Sequence, residues 1–240
     1  MTEADSTRSK PGFFSISAII IAAMIVLSFP LTYFVPLATG SKSFTLLRHL
    51  HGLVFFSWTA LFVWQTWLVR RGRMRLHREL GLLGAALAGS MVPLGLWLAT
   101  VAIADRIAGG NQLPFEFAIY NLLDISAFAL LIGLAIHQAT RRTEWHRRLV
   151  YVAMLSLLGP ASSRWFLLMP LPWPYPDMAP NLFADLLLVP LALNDRQVLG
   201  RIHPATLAAT ALFVPLHIAE PFMGRSAWWN VVAPHLFGFA

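Results

Sequence analysis

Residues 80–104 read LGLLGAALAGSMVPLGLWLATVAIA, an apolar run without a single charged side chain. About 20 helical residues cross the hydrocarbon core of a bilayer, so this run is long enough to span one. The residues just before it, 70–79, read RRGRMRLHRE and carry five arginines. A charge-free run with a basic cluster at one end is the pattern of a transmembrane helix whose basic end faces the cytoplasm. Apolar runs of this kind recur along the chain, and they predict an all-α fold, a polytopic membrane helix bundle.

Composition agrees. Of the 240 residues, 57% are hydrophobic and 12% are charged. The charged share is about half that of a soluble domain. Mean hydropathy is +0.63. These values exclude a soluble globular fold, a disordered chain and a coiled coil. The formal net charge is +7. Its basic residues lie in short clusters between apolar runs, where they meet anionic lipid rather than forming a face for nucleic acid. The expected partners are the lipid bilayer and a larger membrane complex or further copies of the chain. There are no cysteines. That excludes disulfides, iron–sulfur clusters and thiolate-ligated haem, and leaves His, Met and carboxylates as the available ligands.

The chain reads as one transmembrane domain, 1–240. Residues 1–12 form a cytoplasmic tail, 13–223 the bundle, and 224–240 an outer interfacial tail. Seven apolar segments fall at 13–36, 51–69, 80–104, 117–137, 149–169, 181–193 and 204–223. The first reads as a retained helix rather than a cleaved signal. The sixth is short, which makes it a tilted or partial span, with six spans and one irregular segment as the alternative count. With the N-terminus inside, 13 of the 18 Lys and Arg residues fall on the inner side and five (Lys42, Arg48, Arg106, Arg164 and Arg225) on the outer side. This asymmetry predicts seven spans, N-in and C-out, in a bacterial inner membrane. The stripe Gly81, Ala85 and Gly89 predicts close packing of a neighbouring helix. Trp58, Trp64 and Trp97 are expected between helices, and Pro170–Pro180 as a stiff extended cover.

No phosphate loop, dinucleotide fingerprint, zincin motif or nucleophile elbow is present. The informative residues are instead the ionisable ones placed at membrane depth, where they are costly. An outer band comprises His51, Asn121, Asp124, Arg164, Asp185, His217 and Glu220, all within roughly 10 Å of the outer boundary at 1.5 Å rise per residue. Arg164 is expected to pair with Asp124 or Asp185. An inner band comprises His77, Glu79, His137, Gln138 and His146. Two imidazoles facing each other from different helices can ligate b-type haem. His51 and His217 are the outer candidates, and His77, His137 and His146 the inner ones.

The stretch from His51-Gly52 through Gln65 to His77-Arg78-Glu79-Leu80-Gly81 resembles a bacterial group of uncharacterised multi-pass membrane proteins. A second block, Glu144-x-His146-Arg147-Arg148-Leu149 followed by Gly159-Pro160-Ala161, is similar to the same group. The resemblance covers residues 45–165 and implies a membrane location without an activity. A weaker likeness is to diheme transmembrane cytochromes of the ascorbate-reducible type, which place His pairs near both faces of a bundle. That likeness implies His51 with His217 at one face and His77 with His137 or His146 at the other. Two functional readings follow. One is a haem-associated, redox or accessory subunit of a membrane complex. The other is a transport or sensory bundle with an outward-facing polar site.

Overall fold

A computed structural model describes residues 12–239. The basic tail with Arg8 and Lys10 lies outside the described residues. The elements in order are α1 (Phe13–Leu27), a π-helical turn (Pro30–Phe34), α2 (Val35–Thr39), α3 (Leu46–Arg70), α4 (Met74–Ala108), α5 (Ala118–Gln138), α6 (Thr143–Phe166), α7 (Tyr175–Asp185), α8 (Leu188–Leu199), α9 (Pro204–Arg225) and α10 (Ala227–Phe237). No strand occurs among the described residues.

Six helical stretches among them are long and apolar enough to cross a membrane: Phe13–Thr39, Leu46–Arg70, Met74–Ala108, Ala118–Gln138, Tyr175–Leu199 and Pro204–Arg225. This fits an integral, multi-pass membrane protein. Helix α6, with 24 residues, is not among the six, and it occupies the centre. It packs against α1, α5, α7 and α9, while α1–α3, α3–α4, α4–α5, α5–α9 and α7–α9 contacts link the helices into an arc around it. Half of α6 is buried. A helix walled in by protein has no need of the apolar surface that lipid demands, so it tolerates polar side chains. Ser156 and Ser162 satisfy themselves on the carbonyls of Ala153 and Gly159. The core around it is built from residues such as Phe128, Met154, Leu158 and Leu191.

Prolines explain the breaks. Pro30 has no N–H to offer the Val26 carbonyl, which accepts from Phe29 instead at 3.2 Å. The Phe29 carbonyl then accepts from both Tyr33 and Phe34, the wider π-helical spacing. The Trp165 indole donates to the Leu27 carbonyl at 3.2 Å. Pro190 acts in the same way on Leu186, whose carbonyl accepts from Val189 at 3.2 Å, and the chain turns between α7 and α8. Tyr151 of α6 donates its hydroxyl to the Leu187 carbonyl at this break, at 2.8 Å.

The sixth apolar segment is thus longer than 181–193. It starts at Tyr175, inside the expected extended cover, because prolines at the first turn of a helix cost no hydrogen bond. It ends at Leu199, so Asp195 and Arg196 are helical. The stripe of Gly81, Ala85 and Gly89 faces outward, and a Cβ on Gly81 or Gly89 would meet nothing within 4 Å. Helix α3 sits one position round, with Leu61 and Trp58 against Gly84. Trp58 is buried, but Trp64 and Trp97 face outward, contrary to expectation. Their bulk suits a lipid-facing surface equally well.

At the arginine-rich end a clamp joins α6, α8 and α9. Arg148 and Asp195 are both fully buried, with Nε and Nη2 of the arginine 2.8 and 2.5 Å from Asp195 Oδ1. Arg148 Nη1 also donates to the Glu144 carbonyl and carboxylate, at 2.9 and 2.5 Å. Asp195 Oδ2 accepts from the Thr206 hydroxyl at 2.6 Å and from the His203 N–H at 3.1 Å. His203 caps α9 by accepting from the Ala205 N–H through Nδ1, at 3.1 Å. Burial, and then the Arg148 charge, hold the His203 imidazole below its ordinary value.

Candidate functional site

The site forms toward the other end of the bundle, where α5, α7 and α9 meet beside α6. Asp124 lies two turns into α5. Asp185 is the last residue of α7, at the break, and Asn181 is one turn before it. His217 and Glu220 sit three apart on α9 and so share one face of it. All five are buried, with Glu220 only 1% and His217 only 3% exposed.

The hydrogen bonds divide these side chains in a regular way. His217 Nδ1 lies 2.8 Å from Asp185 Oδ2. A carboxylate can only accept, so Nδ1 carries the proton toward it and Nε2 is left to face the cluster. Asn181 donates from Nδ2 to Glu220 Oε2 at 2.8 Å. The remaining atoms, His217 Nε2, Asp124 Oδ2 and Glu220 Oε1, have no partner. His217 Nε2 stands 3.7 Å from Asp124 Oδ1. Ligand atoms of Asp124, His217 and Glu220 all fall within 4.8 Å of one another.

Helix α6 makes room for this arrangement. A Cβ on Gly159 would lie 1.5 Å from Asn181 Oδ1. The Asn181 amide therefore occupies the space that a side chain at 159 would fill, and from there it holds Glu220. A similar close approach fixes the C-terminal end of α9, where a Cβ on Gly224 would lie 2.4 Å from the Glu116 carbonyl. Arg225 pairs with Glu116 and stacks on Trp173, its Cζ 4.4 Å from the ring centre. Trp229 of α10 donates its indole N–H to the Phe115 carbonyl at 2.9 Å, strapping the tail across this end.

The chemistry follows from charge. Three carboxylates and one imidazole cluster here, and among the described residues no arginine or lysine bonds to any of them. If all three carboxylates are ionised, two negative charges stay uncompensated even with His217 protonated. A buried charge without a partner costs several kcal/mol. The cluster is therefore a candidate to take up protons or a metal cation.

The expected residues divide into those brought together and those kept apart. Asp124, Asp185, His217 and Glu220 converge. Asn181, the first residue of the short sixth apolar segment, joins them without having been singled out. Asn121 bonds the Phe117 carbonyl of its own helix at 3.3 Å. Arg164 does not pair with Asp124 or Asp185. Its Nη1 donates to the Pro160 carbonyl at 2.6 Å, and its Cζ lies 4.1 Å from the Phe29 ring centre. It stands in the last turn of α6, where the helix dipole stabilises a cation and spare carbonyls accept its protons.

Among the other histidines, His51 stacks on Phe55, ring centres 4.0 Å apart. His217 has one ring nitrogen on Asp185 and turns the other toward Asp124, so it is committed to carboxylates. His137 is exposed and contacts Arg141 through Nε2 at 3.2 Å. His77 and His146 are neighbours, ring centres 6.4 Å apart, with His146 Nδ1 on the Ala135 carbonyl at 2.9 Å.

No protein-family model, no curated protein and no solved structure matches this chain.

Proposed function

We propose that the chain is a seven-span membrane protein, N-in and C-out, that binds a small cation inside the bundle. Asp124, His217 and Glu220 receive it, and the site communicates with the side away from the arginine clusters. Of the two readings open from the sequence, this is the transport or sensory one. The arginine asymmetry supports the orientation. Helix α6 supplies the seventh span, since 24 residues suffice to cross. The observation that carries the functional reading is that three residues at least 96% buried, whose ligand atoms lie within 4.8 Å of one another, each keep one polar atom without a partner. A satisfied structural network lacks such atoms, as the clamp at Asp195 illustrates.

The test is thermal unfolding of the protein in detergent, with intrinsic tryptophan fluorescence as the signal. Wild type and Asp124→Asn/Glu220→Gln are compared between about pH 5 and 8 in chelator, and again with added divalent ions. A cation site makes the wild-type transition rise with protons or with metal, and the double variant loses that rise. Identical pH and metal responses in both proteins would refute the reading.

A further inference from the structure

We propose that the cation is a divalent transition metal of the zinc, iron or manganese class. Its ligands are His217 Nε2, one oxygen of Asp124 and Glu220 Oε1. Asp185 and Asn181 act as positioning residues. This rests on the reading above and narrows it.

The half-satisfied pattern is the argument. A purely protonic site has no need to keep one atom of each side chain tied and the other open. Here His217 is tied at Nδ1 by Asp185 and open at Nε2. Glu220 is tied at Oε2 by Asn181 and open at Oε1. Metal-ligating histidines commonly donate their second ring N–H to a carboxylate, which fixes the tautomer and strengthens the ligand. The Asp185–His217 contact has that form, aimed at a point where two more open oxygens lie. The 3.7 Å between His217 Nε2 and Asp124 Oδ1 is close to the separation of adjacent ligands at bonds of about 2.1 Å.

The donor set selects the class. One imidazole and two carboxylates suit zinc, iron and manganese. Soft copper(I) prefers thiolate or thioether, and calcium and magnesium prefer all-oxygen shells. Charge agrees, because a divalent ion against Asp124, Glu220 and Asp185 leaves one net negative charge where three stood. Side chains from α5 and α9 grip the ion directly, with α7 behind them. Toward the bundle end, Tyr120 keeps an unpartnered hydroxyl, with Glu116 just before α5 and Asp177 in the first turn of α7. These acidic and hydroxyl groups give an entering cation a polar approach.

The experiment is metal titration of chelator-stripped protein in detergent, with Zn2+ by calorimetry and Co2+ by its visible ligand-field spectrum. Expected is one ion per chain. Asp124→Asn and Glu220→Gln, which preserve volume, weaken binding by more than tenfold. Asp185→Asn weakens it by about 10–100-fold with unchanged stoichiometry and a shifted Co2+ spectrum, a change that a merely structural role leaves absent. Thermal unfolding of wild type with and without Zn2+ gives a readout that no variant needs to survive. No binding by wild type, or binding indifferent to Asp124 and Glu220, would overturn the metal assignment. If the pH response of wild type still exceeds that of the double variant, the site is protonic and the cation reading stands. If both responses vanish, both readings fall.

Discussion

Replacing Asp195 by leucine strands the Arg148 guanidinium in a pocket with no solvent exposure. Two of its nitrogens lose their acceptor, and Glu144 remains on the third. Breaking a buried ion pair from one side costs about 3–5 kcal/mol, and the surviving Glu144 contact places this case near the lower bound. The Thr206 hydroxyl and the His203 N–H are orphaned as well, at about 1–3 kcal/mol each. At about 2–4 °C per kcal/mol for a chain of this size, the unfolding midpoint falls by roughly 10 °C or more. Arg148→Met/Asp195→Leu removes the charge that was stranded and keeps the orphans. It therefore recovers about 3 kcal/mol relative to the single variant. The assay is thermal unfolding in detergent, with the four proteins of the cycle measured side by side. A double variant no more stable than Asp195→Leu, or a single variant within about 1 kcal/mol of wild type, would refute the account of the clamp.

Other outcomes are expected. Gly159→Ala displaces the Asn181 amide, overpacking the α6–α7 contact by about 1–3 kcal/mol, and it weakens metal binding although residue 159 touches no metal ligand; unchanged Co2+ affinity speaks against the role of Asn181. The His203 pKa lies below its unfolded value near 6.5, so its contribution to stability is complete above that value and is lost as pH falls below it. His203→Asn keeps an N-cap acceptor and flattens that slope, as unfolding midpoints between about pH 7 and 5 will show. Reporter fusions after Gly72, Arg141 and Gly200 read cytoplasmic, and a fusion after Gly110 does not; the reverse pattern inverts the topology. Protein purified from haem-replete cells shows no Soret band, and a band that His217→Ala abolishes contradicts the commitment of that imidazole to carboxylates.

Much of this was legible in the residues. Apolar length gave six helices long enough to cross a membrane, because the bilayer imposes that length. Boundaries were missed where charge lies inside a helix. Arg75 and Arg78 begin α4 since their long side chains reach water from a helical backbone, and Asp195 and Arg196 end α8. Depth was also legible, and it brought Asp124, Asp185, His217 and Glu220 together. Azimuth was not. Whether Arg164 turns toward Asp124 or toward Phe29 depends on how α6 is rotated, and a helix buried on every side has no apolar stripe to reveal it. The same loss of pattern hid Asn181, whose position depends on a glycine in another helix. Arg148, counted among loop arginines, is a core residue because Asp195 waits for it 47 positions later.

The central placement of α6 has a consequence for how the protein is made. Helix α6 leaves the ribosome after α1 and α5, which form part of its wall, but before α7, α8 and α9, which add the rest of its contacts and supply Asp195, the buried counterion of Arg148. An emerging chain cut after residue 170 holds α6 against α1 and α5 alone, with Arg148 left to Glu144. On the seven-span reading, stable integration of α6 is therefore expected only once the last third of the chain has been made. Stop codons placed between α6 and α8 will yield products in which α1 to α5 are integrated and α6 remains accessible to proteases.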